Sequence, residues 1–248
     1  MSKLKILLLA GHGDGDCGAV GCGYKEADLT RELVKLINPK LSKVARVTVF
    51  DINKNPYEYF KKYSFNFRVY DYVFEVHLNA CVKDYKGNGK TTGTEIYVHP
   101  KEMEEGTSVE EAILRNISAL GFKNRGVNPR SNLQNMNICK GSQGVSYALL
   151  ETCFIDDQDD MILYEKTKDK IAKAIVDGIA EGFGIKEETQ MAGFKDIKGH
   201  YAESSINDLF NMGIVKGDGA GNFRPDDYIK RGDAAIMIRN AIKFITGK

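Results

Sequence analysis

The chain of 248 residues is 42% apolar, enough to build one sizeable core and a small second one. Thirty-five basic residues against 34 acidic ones leave a formal net charge of +1, so no global field draws it to nucleic acid or to an acidic membrane, and partners have to be argued from local sites. The five cysteines, Cys17, Cys22, Cys81, Cys139 and Cys153, are odd in number and without framework spacing, and they read as reduced thiols.

Lys3 and Lys5 precede Ile6-Leu7-Leu8-Leu9-Ala10, a pattern that superficially opens like a signal peptide. The apolar run is too short and cleavage after it would discard His12, so Lys5 to Ala10 is predicted as a buried strand. On that reading the protein is synthesised in the cytoplasm without a signal peptide and reaches an extracellular substrate after release. No run approaches the roughly 18 apolar residues of a membrane span. A glycine-rich loop follows through Gly11, Gly13, Gly15, Gly18, Gly21 and Gly23. Glu26 then opens a helix carrying Leu29, Leu33, Leu36 and Ile37 on one face, predicted to break near Pro39. Val47 to Phe50 is a second strand, Pro56 starts a short aromatic-rich helical piece, and Tyr72 to Leu78 is a third strand. Gly87 and Gly89 flank a polar loop before a strand at Thr94 to Val98. The pattern next predicts a helix over about Ser108 to Leu120, a strand from Val145 to Glu151 and a long amphipathic helix from about Asp159 to Phe183. Strands alternating with helices in this way predict an α/β fold, an open and mainly parallel sheet flanked by helices.

Such sheets bind ligands at the carboxyl ends of their strands. Four polar residues fall there or close by: His12 in Ala10-Gly11-His12-Gly13, Glu26 at the start of the first helix, His77 in Glu75-Val76-His77-Leu78-Asn79-Ala80, and Glu151 in Leu149-Leu150-Glu151-Thr152. Singly, each histidine has an ordinary explanation as a hydrogen-bonded structural residue. Glu26 has one as a carboxylate favoured by the helix macrodipole. Glu151 is less easily dismissed, because a carboxylate closing Ala148-Leu149-Leu150 is costly to bury without a partner. Together, two imidazoles and one carboxylate make a three-ligand zinc set with a coordination position left for water, and the remaining acid can serve as the base. That is hydrolase chemistry. Two competing sets are weaker. Cys17 and Cys22 lie beside His12, but no second Cys/His pair follows at zinc-finger spacing. Cys153 as a nucleophile near His77 leaves His12 and Glu26 without a role. His99, before Pro100, reads as a surface residue.

From residue 3 to about 184 the sequence resembles the zinc-dependent N-acetylmuramoyl-L-alanine amidases of the amidase-3 type, which occur among bacterial autolysins, spore cortex enzymes and phage endolysins. The resemblance is carried by Gly11-His12-Gly13 with Asp16-Cys17-Gly18-Ala19, by Glu26, by His77-Leu78-Asn79-Ala80, by Gly93-Thr94-Glu95-Ile96-Tyr97 and by Leu150-Glu151-Thr152-Cys153-Phe154-Ile155, in family order and spacing. Cys17 stands where the family often has proline, and Thr152-Cys153 replaces a glycine-containing step. The resemblance implies zinc held by His12, Glu26 and His77, with Glu151 as catalytic acid/base. It also implies the bond attacked, the amide between N-acetylmuramic acid and L-alanine of the peptidoglycan stem. Asn79, Arg125 and Arg130 are candidate substrate contacts, the arginines for stem carboxylates. Glu95 reads as a supporting residue rather than a ligand. The alternatives are a catalytically inactive cell-wall binding protein and a Cys/His amidohydrolase of the wall.

After Phe183 the pattern breaks into a polar stretch. The expected organisation is a catalytic domain over 1–184, a linker over 185–193 and a small module over 194–248. Two helical patterns mark the module, one through Ile206, Leu209, Phe210 and Met212, the other through Ala234, Ile236, Met237, Ile238, Ala241 and Ile242. Asp218 and Asn222 in the intervening loop lack the further oxygen ligands of an EF-hand. Phe194-Lys195-Asp196-Ile197, Gly213-Ile214-Val215-Lys216-Gly217, Phe223-Arg224-Pro225 and Ile229-Lys230-Arg231-Gly232-Asp233 resemble a single surface-layer homology repeat, with Tyr201 in place of the usual tryptophan. That resemblance implies binding to anionic secondary cell-wall polysaccharide through Arg231. One copy has little core of its own, so self-association with copies from other chains is a further expectation.

Overall fold

The structure, a computed structural model, describes residues 3–81, 84–87, 91–185 and 193–246. Gly89 and all of the expected linker except its two end residues lie outside the described residues. The chain divides into two compact units, Met1–Lys186 and Glu187–Lys248.

In the first unit, β1 (Lys5–Ala10) leads through a small antiparallel pair, β2 (Val20–Gly21) and β3 (Tyr24–Lys25), into α1 (Glu26–Val44). There follow β4 (Arg46–Val49), α2 (Pro56–Lys62), a 3-10 turn at Phe67–Val69 and β5 (Tyr72–Asn79). Next come β6 (Thr94–Val98), α3 (Pro100–Glu105), α4 (Ser108–Ser118) and β7 (Asn124–Pro129). A short helix α5 (Gln134–Met136) continues as a π-helical turn, Asn137–Ser142, before β8 (Ser146–Phe154) and α6 (Gln158–Gly182). The main sheet has six strands in the order β4-β1-β5-β8-β6-β7. Four run parallel, while β6 pairs antiparallel with β8 and carries β7 parallel to itself.

The first strand is buried because Ile6, Leu7, Leu8 and Leu9 point alternately to two apolar layers. One layer is deep: α1, α4 and α6 cover a face of the sheet through Leu33, Ile37, Ile113, Ile171 and Ile175. The other is thinner, built from α2, the 3-10 turn and the α5 segment through Phe60, Phe67, Met136 and Cys139. Helix α1 does not break at Pro39. Proline removes one hydrogen-bond donor, but Ile37 and Leu41, both without exposed surface, hold the helix against the core on either side of it. Strand β7 is not among the predicted strands, and Asn124-Arg125-Gly126-Val127-Asn128-Pro129 has the composition of a turn. It is an edge strand, where proline and glycine are tolerated.

Strand β8 runs three residues past Glu151, so that residue lies within the strand rather than at its end. Between His77↔Glu151 and Asn79↔Phe154 the register gains one residue on the β8 side, a β-bulge at Thr152-Cys153. Among the described residues, no helix is long and apolar enough to cross a membrane.

The second unit contains α7 (Glu203–Asn211) and α8 (Arg231–Thr246). The segment between them is closed by side-chain carboxylates. Asp196 accepts the backbone N–H groups of Phe223 at 2.9 Å and Arg224 at 2.7 Å. Asp218 accepts those of Ala220 and Asn222 at 2.8 and 3.1 Å, which hold its carboxyl down to about 2.

Candidate active site

The route of the chain fixes where a site can form. From β1 it passes through α1 to β4 on one side, then returns through α2 to β5 on the other, so a crevice opens between the carboxyl ends of β1 and β5. His12 leaves the end of β1, His77 lies near the end of β5, and Glu26 is the first residue of α1. Their donor atoms all lie within 4.8 Å of one another.

Glu26 is buried between the two rings. Its Oε2 is 3.0 Å from His12 Nε2 and its Oε1 is 2.9 Å from His77 Nδ1. The backbone N–H groups of Ala19 and Leu78 also donate to the same carboxylate, at 2.9 and 3.0 Å. Burial alone would raise the Glu26 pKa, but the hydrogen bonds and positive potential of the two histidines outweigh it and hold the carboxyl well below its usual range. The outer ring nitrogens are held as well. His12 Nδ1 lies 2.7 Å from Asp16 Oδ2, and His77 Nε2 lies 3.2 Å from Glu75 Oε1. Asn55 donates to Asp16 at 3.1 Å, and Asn135 to Glu75 at 3.3 Å.

This donor set fits zinc. Ligands about 2 Å from a tetrahedral ion stand about 3.3 Å apart, close to the two N···O separations. A carboxylate on the far nitrogen of each imidazole fixes the tautomer that presents the near one. Asp16 lies four residues from His12, and Glu75 lies two before His77 on the same strand face. The two-residue period could therefore have identified Glu75 from sequence. Asn55 and Asn135 arrive from distant segments and carried no such signal.

Two glycines make the approach possible. A Cβ on Gly11 would overlap the His77 ring, and one on Gly18, at φ +64°, would lie 2.7 Å from both Glu26 Oε2 and His12 Cδ2. His12 itself is held at φ +63°, a left-handed conformation that costs energy for a residue with a side chain. Arg31 restrains it. The guanidinium donates to the carbonyls of Gly11 at 2.9 Å and His12 at 2.8 Å while Nε donates to Ile52 at 2.7 Å. Arg31→Met is accordingly expected to destabilise the protein by about 2–4 kcal/mol through the loss of these charge-assisted bonds. Urea denaturation checks the stability, and the zinc affinity of the folded variant should fall with it.

Glu151 faces the same crevice. It is the register partner of His77 on one side and of Glu95 on the other. Its Oε2 is shielded from solvent and has no hydrogen-bond partner among the described residues. Burial pushes its carboxyl up to about 7, the charges of Glu26 and Glu95 adding to the rise and those of His77 and His12 opposing it. Glu95 is buried and receives Asn79 Nδ2 at 2.8 Å, Arg125 Nε at 3.0 Å and Asn128 Nδ2 at 3.1 Å. Arg130 lies apart from that group, over the Tyr97 ring at 4.5 Å. Because of the bulge, Cys153 turns away from Glu151 into the deep core, where burial drives its thiol well above the ordinary range. His99 caps α3, its Nδ1 accepting the Lys101 N–H at 3.2 Å.

An open sheet with a histidine, carboxylate and histidine converging at its switch point, and beside them a carboxylate with one oxygen unpartnered among the described residues, is an arrangement that can support metal-assisted hydrolysis. The chain belongs to the N-acetylmuramoyl-L-alanine amidase family, whose profile matches residues 6–181. A second profile, the S-layer homology domain, matches residues 193–235. A Staphylococcus aureus protein named "Probable autolysin PH" is 28% identical over 71% of this chain, which spans only 38% of that relative. The endolysin of Bacillus phage SPP1 is 28% identical over 76% of this chain and 69% of its own length. Among solved structures, an N-acetylmuramoyl-L-alanine amidase from Clostridium difficile 630 superposes with a TM-score of 0.59 at 21% identity, over 75% of this chain and 100% of the other. The amidase AmiC2 of Nostoc punctiforme does so at 0.58 and 20%, over 74% and 98%. These two likenesses establish the fold.

Proposed function

We propose that the protein is a zinc-dependent peptidoglycan amidase that hydrolyses the bond between N-acetylmuramic acid and L-alanine of the stem peptide. The observation that carries this reading is the placement of two imidazole nitrogens on the two oxygens of Glu26, one strand away from the unpaired oxygen of Glu151. His12, Glu26 and His77 would hold the ion. The chemistry supplied by zinc bound there is Lewis-acid polarisation of the scissile carbonyl and activation of water near neutral pH. Glu151 accepts the proton of the attacking water and returns it to the amide nitrogen, which leaves only once protonated. This cycle needs a carboxylate oxygen not already committed to the protein, and Glu151 Oε2, without a partner among the described residues, is one.

In this reading residues 1–184 form the catalytic domain, 185–193 the linker and 194–248 a surface-layer homology repeat that holds the enzyme on the wall. Arg231, exposed at the first position of α8, meets acidic groups of secondary cell-wall polysaccharide. The protein then acts as a lytic enzyme, an autolysin or a phage endolysin. The burial of Cys153 in the deep core disfavours the thiol mechanism. The complete four-residue set disfavours an inactive wall binder. Incubation with purified peptidoglycan is expected to release soluble peptides beginning with L-alanine, to stop on chelation and to resume with zinc. Release that survives exhaustive chelation, or no release from zinc-loaded protein, would overturn the proposal.

A further inference from the structure

The wall of the crevice on the β6 and β7 side contains a built group that the hydrolytic step does not use. Glu95, 5% exposed, collects donors from two other strands: Asn79 from β5, beyond β8, and Arg125 and Asn128 from the adjacent β7. Its effect on Arg125 is specific. The pairing takes Nε only, and the guanidinium lies over the Phe154 ring with 4.9 Å to the centroid. The two terminal nitrogens of Arg125 make no hydrogen bond to any described residue, and the side chain is 31% exposed. An arginine fixed along one edge and open at the other presents a fork for a planar anion, and carboxylate is the anion that matches its geometry bidentately. Arg130 offers no comparable site. Among the described residues its guanidinium hydrogen-bonds only Tyr97, at 3.2 Å from the hydroxyl.

The position of the fork relative to Glu151 gives the ligand. Glu95 and Glu151 are register partners, and β7 lies one strand further out. Strands stand about 4.8 Å apart, which puts the Arg125 backbone about 10 Å across the sheet from Glu151. An extended peptide advances about 3.5 Å per residue, so a chain whose first amide sits at Glu151 brings the second residue within reach of the Arg125 side chain. Resting on the amidase reading, we infer that Arg125, oriented by Glu95, binds a free carboxylate on the second residue of the stem peptide and so selects acidic over amidated stems. Arg125 is then a binding residue and Glu95 a positioning residue, with Asn79 and Asn128 bracing Glu95.

The test uses the full-length zinc-loaded protein and two soluble muramoyl peptides, alike except that the second residue carries a carboxylate in one and a carboxamide in the other. Wild type should cleave the acid with a kcat/KM at least about tenfold above that for the amide, the difference lying mainly in KM. Arg125→Gln should bring the ratio toward one, Arg125→Lys should leave it between, and Glu95→Gln should narrow it without a change in zinc content. A melting temperature for each variant identifies any that fail to fold, and the wild-type ratio stands independently of them. Equal cleavage of both peptides by wild type overturns the subsite and leaves the amidase reading intact, as does a ratio that persists in Arg125→Gln. Cleavage of neither peptide overturns both.

Discussion

Replacing Glu151 with glutamine is expected to lower kcat/KM by about 10² to 10⁴-fold, the range that general acid–base catalysis supplies, with zinc content unchanged. The reason lies in what surrounds the side chain. Glutamine keeps the volume between His77 and Glu95 but cannot take a proton from water. Oε2 has no partner among the described residues, so the substitution breaks no hydrogen bond to that oxygen. The same substitution should make the metal-free protein more stable. Burial raises the Glu151 carboxyl to about 7, so the folded state binds a proton that the unfolded state has released. This costs stability progressively as pH rises from about 4.5 through 7, and above pH 7 the full penalty, on the order of 3 kcal/mol, is present. Glu151→Gln removes it. A variant that is both inactive and more stable at pH 8 than at pH 4.5, relative to wild type, would show a carboxylate retained for chemistry at the expense of the fold. A variant with near-normal turnover would end the assignment. In the wild-type enzyme the acid limb of the rate profile should fall at or below pH 7, because a cation beside the ligands favours the ionised form.

Removing a metal ligand should have an effect of similar size by a different route. His77→Ala is expected to lose zinc and activity together and to stay inactive when zinc is restored, whereas chelated wild type recovers. Glu75→Gln and Asp16→Asn, which release only the outer nitrogens, should weaken zinc binding by about 10–100-fold. Calorimetry on the apo proteins separates these effects from turnover. Zinc at a hundred times its dissociation constant should also stabilise the wild type by about 2.7 kcal/mol, and His77→Ala should lose that increment. Affinity should rise with pH. Burial favours neutral imidazoles, but the hydrogen bonds they donate to Glu26, and to Asp16 or Glu75, outweigh it and raise both histidine pKa values in the metal-free site. Zinc therefore has to displace protons, and each unit of pH lowered into the histidine range weakens it further.

Most of this arrangement was legible in the sequence because its strongest signals are local. An apolar run of five residues followed by Gly-His-Gly marks β1 and its exit, and an alternating segment ending in His-Leu-Asn marks β5. What escaped notice depends on partners far away in the chain. That β6 runs against β8 is set by pairing, and nothing in Thr94-Glu95-Ile96-Tyr97-Val98 encodes its direction. Strand β7 is read as a turn by its glycine and proline, since composition cannot tell an edge strand from a loop. Pro39 predicts a helix end by its own chemistry, and the burial of Ile37 and Leu41 overrides it. The residues of the proposed metal site are similarly divided: the proposed ligands sit in recognisable motifs, while Asn55 and Asn135, which brace their carboxylate supports, come from segments with no pattern of their own.

The bulge in β8 has a consequence for how this protein can change. Glu151 and Cys153 are two residues apart and in a regular strand would share a face, with a reactive thiol beside the crevice. One additional residue turns the thiol over into the core and lets Thr152 tie the strand to the His77 carbonyl at 2.9 Å. Beyond Glu151 itself, the segment is therefore sensitive to length more than to identity. Small substitutions at Cys153 leave the crevice as it is, but deleting a single residue between Leu150 and Phe154 reverses one side of the strand, and either the base or its apolar neighbours end up facing the wrong way. Insertions and deletions here should be lethal to the enzyme where small substitutions at Cys153 are silent.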